Sequence, residues 1–253
     1  MKKIAFASDY DNTLYMHGII RRGISKKDEK AIRAFQDKGG LFGLCTGRPY
    51  HGFFRDPVIN RLRIDFYIAS TGAHILDGDG GILFEKTVPH DIAKDIFSFG
   101  KEAYRHSLQV DGDFYLYGKS GMRPEPRIQS FDEIRGRKLY AFSFHLPTEE
   151  GAAALASRIN ETYGSDVAAY QNKKDIDVVA AGCSKGKGAL FIKEHFGLDA
   201  IAGMGDSMND EPLVMSADVG FTFPSAPAAL KDSADRLAKS VGDALNQIEM
   251  IYE

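Results

Sequence analysis

Asp9, Asp11, Asp206 and Asp210 fall in two short acidic segments at opposite ends of the chain, Asp9-Tyr10-Asp11-Asn12-Thr13 and Gly205-Asp206-Ser207-Met208-Asn209-Asp210. Each follows an apolar run, Ile4-Ala5-Phe6-Ala7 in the first case and Ala200-Ile201-Ala202-Gly203-Met204 in the second. Each therefore reads as a buried strand that opens into carboxylates. Strand ends in an open α/β sheet face the ligand crevice. If the two strands are neighbours, four carboxylates meet, and unpaired carboxylates repel one another and resist desolvation. Such a cluster calls for a cation or a shared proton, and hard oxygen ligands with room for waters suit Mg2+. The chemistry this points to is metal-assisted phosphoryl transfer.

Phosphoryl transfer also needs a nucleophile, a proton donor for the leaving group and cations that neutralise the phosphate. Asp9 is the candidate nucleophile, since a carboxylate can form an aspartyl-phosphate and split the reaction into two steps. Asp11 lies two residues on, so in an extended segment its side chain points the same way. It can protonate the leaving oxygen and later activate water. Thr13 is expected to hold Asp11 or the loop backbone through its hydroxyl. After the apolar run Leu41-Phe42-Gly43-Leu44-Cys45 comes Thr46-Gly47-Arg48-Pro49. A threonine hydroxyl and the backbone N–H groups of Gly47 and Arg48 suit a phosphate oxygen. In Cys183-Ser184-Lys185-Gly186-Lys187-Gly188 a lysine precedes a helix, where its ammonium can pair with Asp9 and with phosphate; Lys185 and Lys187 are rivals for that place. Each segment alone has a bland reading as a capped helix start, a turn or a solvated charge. Their joint occurrence, in this order and each after a strand, favours the catalytic one.

The segments meet only if the chain lays their strands side by side. Strands at Ile4–Ser8, Leu41–Cys45 and Asp65–Ala69 alternate with a helix that Ser25 starts and Gly39-Gly40 ends, the pattern of a parallel sheet covered on both faces. Ala73–Leu76 and Ile82–Glu85 flank Asp77-Gly78-Asp79-Gly80-Gly81, strong turn chemistry for a hairpin. The middle differs: a helix over Asp91–Arg105, a hairpin around Asp111-Gly112-Asp113, a Gly/Pro loop over Gly118–Arg127, a strand at Lys138–Leu146, a helix at Thr148–Tyr163 and strands at Val167–Tyr170 and Ile176–Ala180. Hairpins with two helices indicate an α+β module. The βα alternation resumes with a helix at Lys187–Phe196 and a strand at Ile201–Met204, and runs to a last helix over Asp243–Ile251. The fold class is α/β, with one α/β unit split by an inserted module.

Bulk properties bound the rest. With 253 residues, 43% of them hydrophobic, the chain can bury one large core or two smaller ones. A net charge of −3 gives no bias toward nucleic acid or anionic membrane. Two cysteines, Cys45 and Cys183, make no disulfide framework and no zinc cluster, so reduced thiols and a cytoplasmic location are expected. No signal peptide and no apolar span of about 20 residues is evident. The seven histidines have no metal-ligand spacing.

The succession of DxDxT at Asp9–Thr13, Thr46-Gly47-Arg48, Lys185-Gly186 and GDxxND at Gly205–Asp210 resembles the haloacid dehalogenase-like superfamily. Thr-Gly-Arg-Pro and the long insertion between Thr46 and Lys185 resemble its Cof-type sugar-phosphatase branch, and the resemblance spans almost the whole chain. It implies a Rossmann-like parallel-sheet core, residues 1–86 and 183–253, with an inserted α+β cap, residues 87–182, that sets specificity. It also implies that Asp9 is nucleophile and Mg2+ ligand, and that Asp11 is acid/base with its carbonyl on Mg2+. Thr46, Gly47, Arg48, Lys185 and Asn209 then serve the phosphate, and Asp206 and Asp210 the metal. The family pattern favours Lys185 over Lys187. Where the family usually has Asn-Gly, this chain has Thr71-Gly72, a shorter side chain without an amide. Tyr115, Tyr117, Tyr140 and Tyr170, with Asp111, Asn172 and Asp175, either line the cap side of the site or serve as half-buried strand residues. The expected activity is Mg2+-dependent hydrolysis of a small phosphate monoester, a sugar phosphate by resemblance, by a monomer or homodimer. The alternatives are a sugar phosphomutase and a non-catalytic phospholigand-binding module.

Overall fold

The computed structural model describes residues 2–19, 22–54, 57–100, 103–118 and 126–252. Its first stretch contains β1 (Ile4–Ser8), β2 (Met16–His17), β3 (Arg22–Gly23), α1 (Lys26–Asp37), β4 (Leu41–Cys45), α2 (His51–Phe54), β5 (Phe66–Ala69), β6 (His74–Asp77) and β7 (Ile82–Glu85). The middle holds α3 (His90–Phe99), β8 (Arg105–Val110), β9 (Asp113–Tyr117), β10 (Arg127–Ile128), β11 (Leu139–His145), α4 (Glu149–Tyr163), β12 (Val167–Asn172) and β13 (Asp175–Ala180). The last stretch holds α5 (Lys185–His195), β14 (Ala200–Gly205), α6 (Glu211–Ser216), β15 (Val219–Thr222), α7 (Ala228–Ser233), β16 (Arg236–Leu237) and α8 (Val241–Tyr252).

Two sheets result. The larger has the order β16-β15-β14-β1-β4-β5-β6-β7, parallel from β16 to β5 and antiparallel beyond. β1 and β14 are buried along their whole length, as helices on both faces of a parallel sheet require. They pair in register from Ile4 with Ala200 to Ser8 with Met204, so the residues that follow each strand emerge at one edge. Phe6 fixes this centre, stacked on Phe42 at 6.0 Å and beside Phe221 at 6.1 Å. The smaller sheet, β10-β9-β8-β11-β13-β12, is built from chain between β7 and α5, with α3 and α4 contributing to its own apolar cluster. Among the described residues no helix is long and apolar enough to cross a membrane.

Several expected boundaries move. The helix expected over 91–105 ends at Phe99, because Gly100 caps it and Arg105 already pairs in β8; residues 101 and 102 lie outside the described set. In the loop expected over 118–127, residues 119–125 also lie outside it, and Arg127–Ile128 add a short parallel strand to β9. α5 starts at Lys185 rather than Lys187, because Ser184 caps it by accepting from Lys187 N–H.

One contact between the sheets carries a pH signature. His74 of β6 lies face to face with Tyr140 of β11, centroids 4.2 Å apart, and neither ring nitrogen has a hydrogen-bond partner among the described residues. Burial pulls the imidazole down to about 4, against a smaller upward pull from Glu85. Between pH 4 and 6.5 the unfolded chain therefore takes up a proton that the folded one refuses, so stability falls as pH drops through this window. The penalty approaches about 3 kcal/mol below it. His74→Phe keeps the stack and should flatten that part of the profile. Urea midpoints of both proteins from pH 4 to 7 test this, and parallel profiles would remove His74 from the account.

Candidate active site

Lys185 sits at the centre of the cluster. It is the first residue of α5, fully buried, and its Nζ lies 2.6 Å from Asp9 Oδ1 and also bonds Asp210 Oδ1. Two glycines allow this approach. A Cβ on Gly186 would lie 2.0 Å from Pro212 O, so only glycine lets the start of α5 close on α6. A Cβ on Gly205 would lie 2.2 Å from Asp210 Cβ, so only glycine lets the Met208–Asp210 turn fold back under β14.

Asp9 follows β1 and extends its ladder, its N–H donating to Met204 O at 2.8 Å. Asp206 follows β14. Asp210 closes the turn, its Oδ2 accepting from the N–H groups of Asp206 at 3.0 Å and Ser207 at 3.1 Å. Oxygens of Asp9, Asp206 and Asp210 come within 4.8 Å of one another. One lysine against three carboxylates leaves a buried negative excess. Burial first, then Asp210, push the Asp9 carboxyl up to about 8, and the same two causes push Asp206 up to about 6. This is the donor set a divalent cation suits. Within it the roles differ. Among the described residues, both oxygens of Asp210 serve protein donors, whereas Asp9 Oδ2 has no donor and Asp206 receives only a 3.3 Å bond from Thr13 Oγ1. Asp9 and Asp206 are thus the side chains open to a metal, with Asp210 behind them.

Thr13 was expected to hold Asp11 or the loop backbone, but its hydroxyl reaches Asp206 across the sheet. Asp11 lines the same cavity as Asp9, with its carboxylate gripped by the Arg48 fork and by His17 Nε2 at 2.6 Å. Thr46 is positioned by β5, its N–H donating to Ile68 O. Its hydroxyl accepts from Arg48 N–H at 3.1 Å, so that amide is not free for phosphate as expected. Gly47 N–H, among the described residues, has no acceptor. Asn209 lines the cavity and accepts from the Ser207 hydroxyl. Ser70, Thr71 and Gly72, all at positive φ, turn the chain under this loop, Ser70 N–H donating to Arg48 O and Thr71 N–H to Thr46 O. A β-branched residue at φ 53 is strained. Thr71 is buried rather than lining the cavity.

The cavity between the sheets, about 510 Å³, is roofed by polar side chains. Ser107 of β8, Ser143 of β11 and Asp177 of β13 are cross-strand partners, and so are Arg105, His145 and Asp175. These two rungs share one face of the smaller sheet. Ser143 donates to Asp177 at 2.6 Å, and Gln109, two residues beyond Ser107, donates to Gly47 O at 2.8 Å and so ties the roof to the loop over 46–48. Of the two readings for the four tyrosines, the structure follows the second, as strand residues packed on the core of the smaller sheet. Tyr140 donates to Glu85, Tyr170 to Cys183 O, Tyr115 stacks under Arg137, and Tyr117 packs on Phe97. Asn172 and Asp175 do line the cavity, whereas Asp111 pairs with Arg137. The missed residues carried a signal: polar residues at every second position on three strands, a face opposite an apolar one.

A family model described as haloacid dehalogenase-like hydrolase matches residues 6–248. The HMP-PP phosphatase of Escherichia coli (strain K12) is 23% identical over 264 residues, covering 97% of this chain and 93% of the relative. Among solved structures, a haloacid dehalogenase-like hydrolase from B. subtilis superposes with a TM-score of 0.83 at 20% identity, covering 100% of this chain and 99% of that one. A sugar phosphatase of haloacid dehalogenase subclass IIB gives 0.81 at 20% identity, with 98% and 99% covered. These likenesses establish the fold.

Proposed function

From the premise that this chain belongs to the haloacid dehalogenase-like hydrolases, we propose that it is an Mg2+-dependent phosphatase acting on a small phosphate monoester through an aspartyl-phosphate on Asp9. The observation that carries this reading is the buried Asp9–Lys185–Asp210 cluster at the joined ends of β1 and β14, with Asp206 and Asp11 at its rim. We take residues 1–86 and 183–253 as the catalytic unit and 87–182 as the cap, which the separate apolar clusters of the two sheets support.

Asp9 attacks phosphorus through one carboxylate oxygen and leaves the other for the cation, while Lys185, 2.6 Å from Oδ1, neutralises charge that develops on the phosphoryl oxygens. Thr46 and the Gly47 N–H cradle the same group. Asp11 protonates the departing oxygen and then takes a proton from the water that cleaves the acyl phosphate. Bound between Asp9 and Asp206, Mg2+ would supply the positive charge that the carboxylates and the phosphate together lack. Asp210 keeps Lys185 and the β14 turn in place. The hydroxyl, amide and carboxylate groups of the roof suit a polyol, which favours a sugar phosphate as substrate.

The test is phosphate release from a panel of sugar phosphates, nucleotides, pyridoxal phosphate and a pyrimidine diphosphate, with Mg2+ and with EDTA. The expected result is release with Mg2+ that falls at least ~100-fold with EDTA and returns on adding Mg2+ back. Conversion of a sugar phosphate to its isomer without phosphate release would instead indicate a mutase. Binding of phosphate esters without any turnover would indicate a binding module.

A further inference from the structure

Asp11 is held by Arg48, which lines the same cavity, and by His17, which does not. Arg48 Nε donates to Asp11 Oδ2 at 2.6 Å, its other arm reaches Oδ1, and His17 Nε2 shares that Oδ1 at 2.6 Å. The partners stand on one aromatic ledge. Arg48 lies over Tyr10, 5.2 Å from its centroid, and His17 packs on Tyr15 at 4.8 Å, while the two tyrosine rings are 5.3 Å apart. The backbone fixes the ledge: Asn12, at φ 60, turns the chain so that its N–H reaches Tyr15 O and Tyr15 N–H reaches Tyr10 O. His17 is then pinned by pairing with Arg22 in the β2–β3 hairpin.

With both arms of Arg48 engaged, neither oxygen of Asp11 is free to serve a leaving group or a water. An incoming phosphate dianion competes for the guanidinium, and when Arg48 turns toward it, Oδ2 is released. Among the described residues, His17 alone then holds Oδ1. We propose that His17 is the positioning residue for Asp11: it anchors Oδ1 so that Oδ2 faces the ester oxygen and later the attacking water. This rests on the assignment of Asp11 as acid/base made above.

Leaving-group chemistry separates this role from a surface ion pair. Nitrophenolate departs without a proton, so phosphorylation of Asp9 by p-nitrophenyl phosphate needs no aligned Asp11, but hydrolysis of the acyl phosphate does. In rapid-quench experiments His17→Ala should give a burst of about one p-nitrophenolate per site. A steady state ~10–100-fold slower than wild type should follow, the usual cost of losing a supporting hydrogen bond. Phenyl phosphate, whose leaving group needs the proton, should lose its first turnover as well. His17→Gln, which keeps an N–H donor, should recover most of the rate. Steady-state rates of His17→Ala within about twofold of wild type would show a solvated pair of little consequence. Equal loss on both esters without a burst would show general damage. Either result overturns the proposal. Asp11→Asn is the control: if it shows the burst and His17→Ala does not, His17 is excluded and Asp11 stands. If Asp11→Asn shows no leaving-group dependence, the acid/base assignment itself fails.

Discussion

Asp9→Asn is expected to lower phosphate release by ~10⁴-fold or more, the scale seen when a covalent nucleophile is removed from an intact site. The amide has the same shape, and its oxygen can still accept from Lys185, so the fold has no reason to change. What it lacks is the charge and nucleophilicity to form an acyl phosphate. The substitution also takes one carboxylate from a buried set that Lys185 alone cannot balance, so the thermal midpoint should stay level or rise. Loss of turnover with retained stability is the combination that assigns Asp9 to chemistry; loss of both would assign it to the fold. Phosphate release by colorimetry and a melting curve on the same sample decide it. Activity close to wild type in a pure Asp9→Asn preparation would sink the proposed mechanism.

The sequence made the site's floor legible because strand ends are local features. An apolar run followed by carboxylates marks a strand opening into a crevice wherever it occurs, and β1, β4 and β14 deliver Asp9, Thr46 and Asp206 as those runs indicate. Residues whose roles depend on pairing between distant strands were harder to read. Nothing near Ser143 reveals that Ser107 and Asp177 are its neighbours; the register of β8, β11 and β13 does. Tyr115, Tyr117, Tyr140 and Tyr170 fit either face of a strand by type alone, and on a sheet with one apolar face the large rings turn to the core. β2, β3 and β16 are two residues each and leave no periodicity to detect. His17 was invisible for that reason, since its place depends on a left-handed Asn12 and a two-residue strand. Ser184 was a readable cap, but Gly186 and Gly188 weaken helix propensity and pushed the expected start to Lys187. Those glycines are present because α5 must pack closely on α6 and on Ile68.

Lys185→Met is expected to unfold the apo protein more readily, by ~3–5 kcal/mol, because it removes one partner of a buried ionic cluster and leaves the others uncompensated. The methionine fills most of the volume, so packing contributes little to the loss. Asp9 and Asp210 would then face each other and Asp206 across less than 5 Å with no ammonium or guanidinium bonded to any of them among the described residues. Those same carboxylates are the proposed metal ligands and their support, which makes the deficit repairable from outside. Mg2+ should therefore raise the melting temperature of Lys185→Met more than that of wild type, since it replaces a missing cation in one case and adds to a partly balanced set in the other. Turnover should not return with stability, because the ammonium also neutralises the transferring phosphoryl group, and ~10³-fold or greater loss of kcat should persist at saturating Mg2+. Melting curves with EDTA and across an Mg2+ titration, read beside kcat, separate the two roles. An Mg2+ shift no larger than that of wild type would mean that the cluster is balanced by something other than Lys185 and the metal, and the charge argument for this site would fall.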